Sequence, residues 1–324
     1  MRAIVQRSYG SPEVLESADV DRPAVGDDDV LVRVRAASVH PGDYFLMTGE
    51  PYVVRLAFGL RRPRHPIPGR DLAGVVAAVG KDVVDLQPGD EVFGWSTTGT
   101  LAEYACVPAV QLVRTPANLS AGPAAAVPTS GLTALQALRD IAHVQPGQAV
   151  LITGASGGVG TFAVQIAKAL GAEITAVCST KNVDRMRSLG ADRVIDYTRE
   201  DFTRSGGRYD LLLDVAGSKS WSQCKRVLAP RAIVVLVGGR KGSNRMLGPL
   251  GHVIRMWLGS LGSRRKAVFF VAKFNRDDMN VLAELLESGK VAPVVERSYP
   301  LSETPDAIRH VGEGHPQGKI VIAV

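Results

Sequence analysis

A run of glycines in the middle of the chain most constrains what this sequence can fold into. Gly154-Ala155-Ser156-Gly157-Gly158-Val159-Gly160 follows the apolar stretch Ala149 to Thr153, which is typical of a buried strand, and precedes apolar residues at helical spacing. Glycines let the main chain approach a pyrophosphate closely, and the amino end of the following helix presents free N–H groups to an anion. The segment therefore predicts a dinucleotide-binding turn, with Ala155 in place of the first glycine of the common fingerprint.

Short apolar runs after this turn alternate with polar or glycine turns and with helices. These runs are Ile174 to Val177, Val194-Ile195, Leu211 to Val215 and Ile233 to Val237. Near-continuous apolar runs indicate strands that are buried on both faces, as in a parallel sheet covered by helices. From about Pro123 onward the sequence predicts a doubly wound α/β fold, and a further helix is expected at Arg276 to Ser288.

The part of the chain before Pro123 is rich in strand and turn signals instead. Val30, Val32 and Val34 alternate with Leu31, Arg33 and Arg35, and Gln87-Pro88-Gly89-Asp90 has turn chemistry. This pattern predicts a small β-barrel. We place the domain limits at residues 1–120, 121–265 and 266–324, the last being a C-terminal return to the first domain.

Composition narrows the class of protein and its compartment. A chain of 324 residues, 45% hydrophobic and 22% charged, is expected to form two globular domains rather than a disordered chain. Cys106, Cys178 and Cys224 lie far apart, which fits a reducing compartment. The amino-terminal residues lack a signal-peptide pattern, and the longest apolar stretch, Met246 to Leu261, is interrupted by polar residues. We expect a cytoplasmic protein without a membrane span.

The net charge of +6 leaves anionic partners to consider. The visible clusters, Arg61-Arg62-Pro63-Arg64 and Arg264-Arg265-Lys266, are short and lack interleaved aromatic residues. A solvated surface is the favoured interpretation, and nucleic acid is not an expected partner.

The end of the second predicted strand of the α/β part bears on the choice of cofactor. An NAD site would place Asp or Glu here to bond the ribose, but the residues are Cys178-Ser179-Thr180-Lys181-Asn182. The Thr180 hydroxyl and the Lys181 ammonium suit a 2′-phosphate, so NADP(H) is favoured over NAD(H). Ser179 or Thr180 could equally cap a helix while Lys181 is solvated.

With these residues in place, the chain resembles the medium-chain dehydrogenase/reductase superfamily, in particular its zinc-independent quinone oxidoreductase and enone reductase branch. The resemblance implies a GroES-like β-barrel catalytic domain, a Rossmann NADP-binding domain, a cleft between them for nicotinamide and substrate, and a homodimer joined through the cofactor domains. It rests on five segments: Ala37 to Asp43, Pro68 to Gly74, Pro88 to Val92, Thr153 to Gly160 and Gly318 to Val321.

The same resemblance implies roles for individual residues. Ser156, Gly157, Gly158 and Val159 are expected on the pyrophosphate, Lys181 and Tyr197 with Thr180 on the 2′-phosphate, Thr133 near the nicotinamide, and Gly238 and Gly239 beside the cofactor.

Zinc alcohol dehydrogenases of this superfamily use a cysteine near the position of Ser38 or His40 and the histidine of a Gly-His-Glu triplet. Here the triplet reads Gly69-Arg70-Asp71 and the first cysteine is Cys106. We therefore expect no metal, with Arg70 and Asp71 paired in the barrel wall.

Hydride transfer without a metal suits acceptors that are already electrophilic, such as quinones and α,β-unsaturated carbonyls. The leading hypothesis is an NADPH-dependent reductase of this kind. The alternatives are an NADPH-binding redox sensor or RNA-associated protein with little turnover, and an alcohol dehydrogenase. His40, Tyr44 and Tyr52 are the candidate donors or acids, although a tyrosine with a satisfied hydroxyl fits equally. Asp43 is expected to bond main-chain N–H groups.

The segment Arg240 to Gly262 follows the fifth strand of the α/β part, where a cleft-lining insertion would lie. It could shape an apolar acceptor site. Equally, Leu247, Leu250, Ile254 and Trp257 could pack a helix on its neighbour or on a second subunit.

Overall fold

The computed structural model describes residues 1–238, 248, 250–314 and 316–324. Its strands are β1 Arg2–Gln6, β2 Leu15–Asp19, β3 Asp29–Val39, β4 Asp71–Val79, β5 Glu91–Trp95, β6 Tyr104–Pro108, β7 Leu112–Arg114, β8 Ala149–Thr153, β9 Glu173–Cys178, β10 Arg193–Asp196, β11 Tyr209–Asp214, β12 Leu228–Leu236, β13 Lys266–Phe269, β14 Val295–Pro300 and β15 Lys319–Ala323. Its α-helices are α1 Pro41–Thr48, α2 Val54–Phe58, α3 Ala121–Ala125, α4 Pro128–Gln136, α5 Gly158–Ala169, α6 Val183–Ser188, α7 Trp221–Cys224, α8 Leu250–Ser260, α9 Arg276–Glu287 and α10 Thr304–Glu313.

The chain forms two compact units. The first, which we call the β unit, comprises Met1–Leu132, Phe274–Ser288 and Pro293–Val324. The second, the α/β unit, comprises Thr133–Lys273 and Gly289–Ala292. The domain limits given above stay a prediction.

The α/β unit contains a six-stranded sheet in the order β10-β9-β8-β11-β12-β13, and every neighbouring pair in it is parallel. The order reverses next to β8, so the chain is doubly wound, as predicted. Each predicted apolar run of this part lies in one of its strands, except that Val215 and Val237 come just after the ends of β11 and β12. The runs are apolar throughout because helices cover the sheet: Leu212 and Val234 are completely buried.

The β unit is built around the long strand β3. In one sheet β3 pairs with β15, β4 and β6, all antiparallel. Val30, Val32 and Val34 are buried while Arg33 and Arg35 are exposed, which confirms the predicted alternation. The predicted helix near residue 276 is α9, which belongs to this unit. It is capped by Asn275, whose side chain accepts from the N–H groups of residues 277 and 278.

Each unit contains an apolar core. In the α/β unit the buried cluster lies around the sheet and includes Leu151, Val177, Leu212, Val234 and Met256. In the β unit one cluster includes Ile4, Met47, Ile308 and Ile322, and another includes Val32, Leu72, Val92, Val107 and Leu112.

A buried ion pair fixes the last strand of the β unit to its neighbours. The Nζ atom of Lys319 lies 3.3 Å from Oδ2 of Asp71, and both side chains are almost completely buried. The same carboxylate accepts from the hydroxyl of Ser38 at 3.0 Å and from the N–H of Thr129 at 3.1 Å. The expectation that Asp71 pairs with Arg70 was wrong, because the Arg70 guanidinium instead lies 4.6 Å from the ring centroid of Trp95. A guanidinium over an aromatic face keeps contact with water, whereas the Asp71 carboxylate needs an internal cation.

Among the helices of residues 1–238, 250–314 and 316–324, none is both long enough and apolar enough to span a bilayer.

We predict that Lys319→Met destabilises the protein by about 3–5 kcal/mol, because it leaves the Asp71 charge buried without its cation. The measurement is the free energy of unfolding in urea. Lys168→Met is the matched control: the Lys168–Asp192 pair is half-exposed, and its loss is expected to cost about 1 kcal/mol or less. Equal losses in the two variants would contradict the interpretation.

Candidate functional site

The glycine turn leads from strand β8 into helix α5, as the sequence predicted. Thr153 ends the strand, Gly154 has a φ of 62°, and Gly157 is extended just before the helix begins at Gly158. No side chain caps the start of this helix. The N–H groups of its first turn are therefore left to an anionic ligand at the carboxyl edge of the sheet.

Close contact between the turn and the helix explains the glycine at position 160. A Cβ atom there would lie 2.3 Å from the carbonyl oxygen of Gly154 and 2.6 Å from the carbonyl carbon of Ala155. These distances leave no room for a side chain, so the helix can approach the turn only at a glycine. Ser156 and Val159 lie half-buried along this turn.

The residues predicted for the 2′-phosphate come together in the structure. Thr180 and Lys181 follow β9, and Tyr197 follows the neighbouring strand β10, with all three exposed. The N–H of Tyr197 donates to the carbonyl oxygen of Cys178 at 3.0 Å, which joins the two strand ends. The site therefore presents an ammonium and a phenol at one edge of the sheet.

Sequence reasoning missed the part of Asp196, the last residue of β10. Its Oδ2 atom accepts from the Thr180 hydroxyl at 2.5 Å, and its Oδ1 atom accepts from the N–H and the hydroxyl of Thr198 at 3.0 and 2.8 Å. These hydrogen bonds hold the pKa of Asp196 below its ordinary value, and the one from Thr180 has the largest effect. Since the single proton of Thr180 is donated to Asp196, it is not available to a phosphate. Lys181 and Tyr197 remain as donors.

The other cofactor residues predicted from the sequence lie at separate points of the α/β unit. Thr133 is a buried residue of α4. Gly238 follows β12, and a Cβ atom there would lie 2.5 Å from the carbonyl oxygen of Val215, so the position requires a glycine. Gly239 lies outside the described residues, as does most of the segment from 240 to 249. The side chain of Ser179 makes no capping bond, although the residue occupies the start of a 3₁₀ turn.

In the β unit, His40 stands between strand β3 and helix α1. Its ring atom Nδ1 accepts a hydrogen bond from the main-chain N–H of Gly42 at 3.0 Å. The main-chain N–H of His40 donates to Oδ2 of Asp43 at 2.8 Å. The two side chains thereby satisfy N–H groups at the helix start. The expected role of Asp43 as an acceptor of main-chain hydrogen bonds is confirmed.

The protonation state of His40 follows from this arrangement. Burial lowers the pKa of His40, and the nearby Asp43 carboxylate only partly opposes that effect. The ring is therefore neutral at neutral pH. Because Nδ1 is an acceptor, the proton of the neutral ring is on Nε2. That atom is buried and has no hydrogen-bond partner among the residues that the structure describes.

Two further buried polar atoms without a partner among the described residues belong to neighbouring segments, and no sequence pattern indicated them. The register places Ser38 opposite Asp71 and Asp71 opposite Trp95, so His40 and Trp95 lie at the same end of the sheet. The Nε1 atom of Trp95 and the hydroxyl of Thr100, whose N–H bonds to the loop before β4, are both unpaired. Unpaired buried donors are costly, which indicates a place for a ligand with acceptor atoms.

The two candidate tyrosines are not in comparable positions. The Tyr44 ring packs against α10, where a Cβ atom on Gly312 would lie 2.4 Å from it. Tyr52 is 42% exposed and lies under the Arg55 guanidinium, 4.7 Å from the ring centroid. Their roles as donors stay predictions.

The residues at this end of the β unit do not fit a catalytic zinc ion. Nδ1 of His40 is occupied by a main-chain N–H, and Asp71 is paired with Lys319. Within the described ranges, no group of three or more His, Cys, Asp and Glu residues could hold a metal ion.

Comparison with known proteins places the chain in a family. One family model, for an alcohol dehydrogenase GroES-like domain, matches residues 26–117, and another, for a zinc-binding dehydrogenase, matches residues 189–322. Mouse NAD(P)H oxidoreductase RTN4IP1, mitochondrial, is 36% identical over an alignment that covers 100% of this chain and 89% of the mouse protein. The chain belongs to the medium-chain dehydrogenase/reductase superfamily, in its quinone oxidoreductase-like branch. As a member of that branch it is an NADP(H)-dependent oxidoreductase.

Other members of the superfamily resemble this chain over almost its whole length. Quinone-oxidoreductase QR1, chloroplastic, of Triphysaria versicolor is 32% identical, with 99% of this chain and 98% of that protein covered. The NADPH-dependent alkenal/one oxidoreductase, chloroplastic, of Arabidopsis thaliana is 31% identical, with 99% and 79% covered.

Solved structures of this superfamily have the same fold. The quinone oxidoreductase from Coxiella burnetii matches with a TM-score of 0.88 at 30% identity, covering 100% of this chain and 99% of the other. Escherichia coli quinone oxidoreductase complexed with NADPH matches with a TM-score of 0.84 at 24% identity, covering 100% of both chains. The β unit thus contains the GroES-like domain, and the α/β unit contains the Rossmann-like sheet.

We predict a pH dependence of stability that is specific to His40. Because its pKa is lower in the folded protein than in the unfolded chain, the unfolded chain takes up the proton first as the pH falls. The contribution of His40 to the free energy of unfolding is full above about pH 6.5 and is lost as the pH falls below that value. Wild type should therefore lose more stability than His40→Asn between about pH 7.5 and about pH 5, as measured by urea unfolding. Parallel pH profiles would contradict this prediction.

Proposed function

We propose that the protein is an NADPH-dependent reductase of quinones or α,β-unsaturated carbonyls in which Nε2 of His40 binds the acceptor oxygen. The observation that carries this proposal is the Nε2 proton of His40, which is buried, held on a neutral ring and without a partner among the described residues. A carbonyl or quinone oxygen is an acceptor that would satisfy it. The names of the two plant relatives cover both acceptor classes.

The reaction asks little chemistry of the protein beyond positioning and charge stabilisation. When bound, NADPH supplies the hydride that the electrophilic carbon accepts. Negative charge then grows on the acceptor oxygen, and the hydrogen bond from the Nε2 proton of His40 strengthens with it. His40 does not give up this proton, because the product would be an imidazolate. The proton that completes reduction comes from water.

The α/β unit would hold the cofactor at the carboxyl edge of its sheet. Main-chain N–H groups from Ser156 to Val159 bind the pyrophosphate, and Lys181 and Tyr197 bind the 2′-phosphate. Thr133 and Gly238 face the nicotinamide half. The uncapped start of α5 and the closely packed Gly160 fit an anion at that point.

A homodimer joined through the α/β units is part of the proposal. Strand β13 is one of the two edge strands of the described sheet; Phe269 at its end and Val271 just beyond it are 44% and 66% exposed. An exposed apolar edge strand is a template for pairing with the same strand of a second copy. We also propose a cytoplasmic location, on the ground that all of the cysteines are free thiols.

We predict that His40→Ala lowers kcat for 1,4-benzoquinone and for a small enone about 100-fold, because it removes the donor to the developing oxyanion. His40→Asn should retain activity within about tenfold of wild type, since an amide can both accept from Gly42 and donate to the acceptor. NADPH oxidation is followed at steady state in the presence of a chelator.

The exposed His65 provides the matched control, and His65→Ala is expected to leave kcat unchanged. NADPH affinity, measured by calorimetry, should be unaffected in all of these variants. Equal activity of His40→Ala and wild type would refute the role of His40, and an absence of turnover in wild type with both acceptors would refute the proposed reaction.

We predict that Lys181→Ala raises the KM for NADPH about tenfold or more while changing that for NADH little, because it removes a charge-assisted contact to the 2′-phosphate. The control is Lys225→Ala, which removes another exposed lysine of the same unit. An equal rise in KM for the two nucleotides would show that Lys181 does not contact the 2′-phosphate.

A further inference from the structure

Helix α8 of the α/β unit has one face fixed against its neighbours. Val253, Met256 and Ser260 are buried, and the helix packs against α7 and β13. A Cβ atom on Gly259 would lie 2.7 Å from the side chain of Trp221, so the helix approaches that ring as closely as a glycine allows. These contacts identify the face of α8 that packs on the α/β unit, and with it the face that points away from the unit.

The opposite face of α8 is apolar and exposed. Ile254, Trp257, Leu258 and Leu261 are 43%, 53%, 52% and 57% exposed, and their spacing of three, four and seven residues puts them on one side of the helix. We call these four residues the outer stripe. Of the interpretations left open by the sequence for this segment, packing within the unit holds for Val253 and Met256 but not for Ile254 or Trp257.

Charge is distributed unevenly along the stretch of sequence that contains this helix. Residues 215–276 contain no Asp or Glu, so all 32 acidic residues of the chain lie elsewhere, whereas thirteen of its 38 Lys and Arg lie within this stretch. Arg255, Arg264 and Lys266 are exposed in and just after the helix. The sequence around the outer stripe thus contains cationic residues and no acidic ones.

We propose that the outer stripe of α8 docks on the surface of an anionic lipid bilayer. An apolar helix face with tryptophan and leucine, accompanied by Arg and Lys, is the pattern of a helix that lies in the membrane interface with its apolar side among the acyl chains. Each cation near such a surface adds about a fivefold factor to binding. With 11 residues the helix is too short to cross a bilayer.

The charge pattern argues for lipid rather than for a second copy of the chain. A two-fold contact through the outer stripe would bring the same patch of each subunit together, with the Arg255 and Arg264 charges of both copies in one interface. Like charges brought together in this way oppose association. An anionic headgroup layer has the opposite charge, and it also provides the apolar phase that the stripe needs. This inference does not depend on the proposed enzymatic activity.

Trp257 makes the proposal directly measurable. The other tryptophans, Trp95 and Trp221, are only 8% and 9% exposed, so added vesicles should change the emission of Trp257 selectively. With vesicles of phosphatidylcholine and phosphatidylglycerol at low salt, we expect a blue shift of emission and flotation of the protein with the vesicles. Neither is expected with pure phosphatidylcholine, and Trp257→Phe should abolish the shift.

The variant that tests the stripe is Ile254→Gln with Leu258→Gln, which should lower vesicle binding at least tenfold. Its matched control is Val84→Gln with Val110→Gln, because these apolar residues of the β unit are 94% and 64% exposed. Arg255→Gln with Arg264→Gln should lower binding about 25-fold, as two fivefold factors predict. The thermal unfolding midpoint of each variant checks that the fold is retained.

Three results would overturn the proposal. The first is an unchanged Trp257 emission with anionic vesicles, and the second is an equal loss of binding in the control variant. The third is a fall in the mass of the vesicle-free protein, measured by light scattering, when the stripe alone is substituted, since this would make the stripe a contact between copies. NADPH oxidation without vesicles, measured on the same samples, separates failure of the docking proposal from failure of the proposed activity.

Discussion

The approach of helix α5 to the turn before it is the contact on which the cofactor half of the protein depends. At Gly160 the main chain of the helix lies against the Gly154 carbonyl with no space for a side chain. Because the chain turns there without a capping side chain, the first N–H groups of α5 remain available to a ligand. Any larger residue at position 160 would push the helix away from the sheet and move those donors from the strand ends where Lys181 and Tyr197 lie. The glycine at position 160 is therefore needed both for the packing of the helix and for the binding of an anion.

The parts of the fold that the sequence predicted are those set by local pattern. The apolar runs of the parallel sheet, the alternation along β3 and the strand-turn-helix context of the glycine segment each depend on neighbours within about ten residues. They were predictable because the spacing of apolar residues shows directly whether a strand is buried on one face or on both. The choice of NADP(H) followed from the residues just after the second strand of the α/β part, together with the family resemblance of a few short segments.

The features that the sequence did not predict depend on residues that are distant along the chain. Asp71 pairs with Lys319, 248 positions away, and no spacing rule relates them. Arg70 was the expected partner only because it is adjacent. Similarly, Asp196 occupies the Thr180 hydroxyl because two parallel strands end side by side, a fact that appears only once the sheet is assembled. The sequence also could not predict that the ring proton of His40 is on Nε2, because this depends on the hydrogen bond that Nδ1 accepts from the Gly42 N–H at the start of α1.

The position of β15 has a consequence for the order in which the chain can fold during synthesis. This strand lies between β14 and β3, and so joins the end of the described chain to a strand formed by residues 29–39. The α/β unit, by contrast, is nearly continuous in sequence and can assemble once residue 292 has left the ribosome. On that edge of β3, residues 29–33 can pair with β6, but residues 36–39 stay unpaired until residues 319–323 are made. Over that interval the nascent chain exposes an apolar strand edge to the chaperones of the cell.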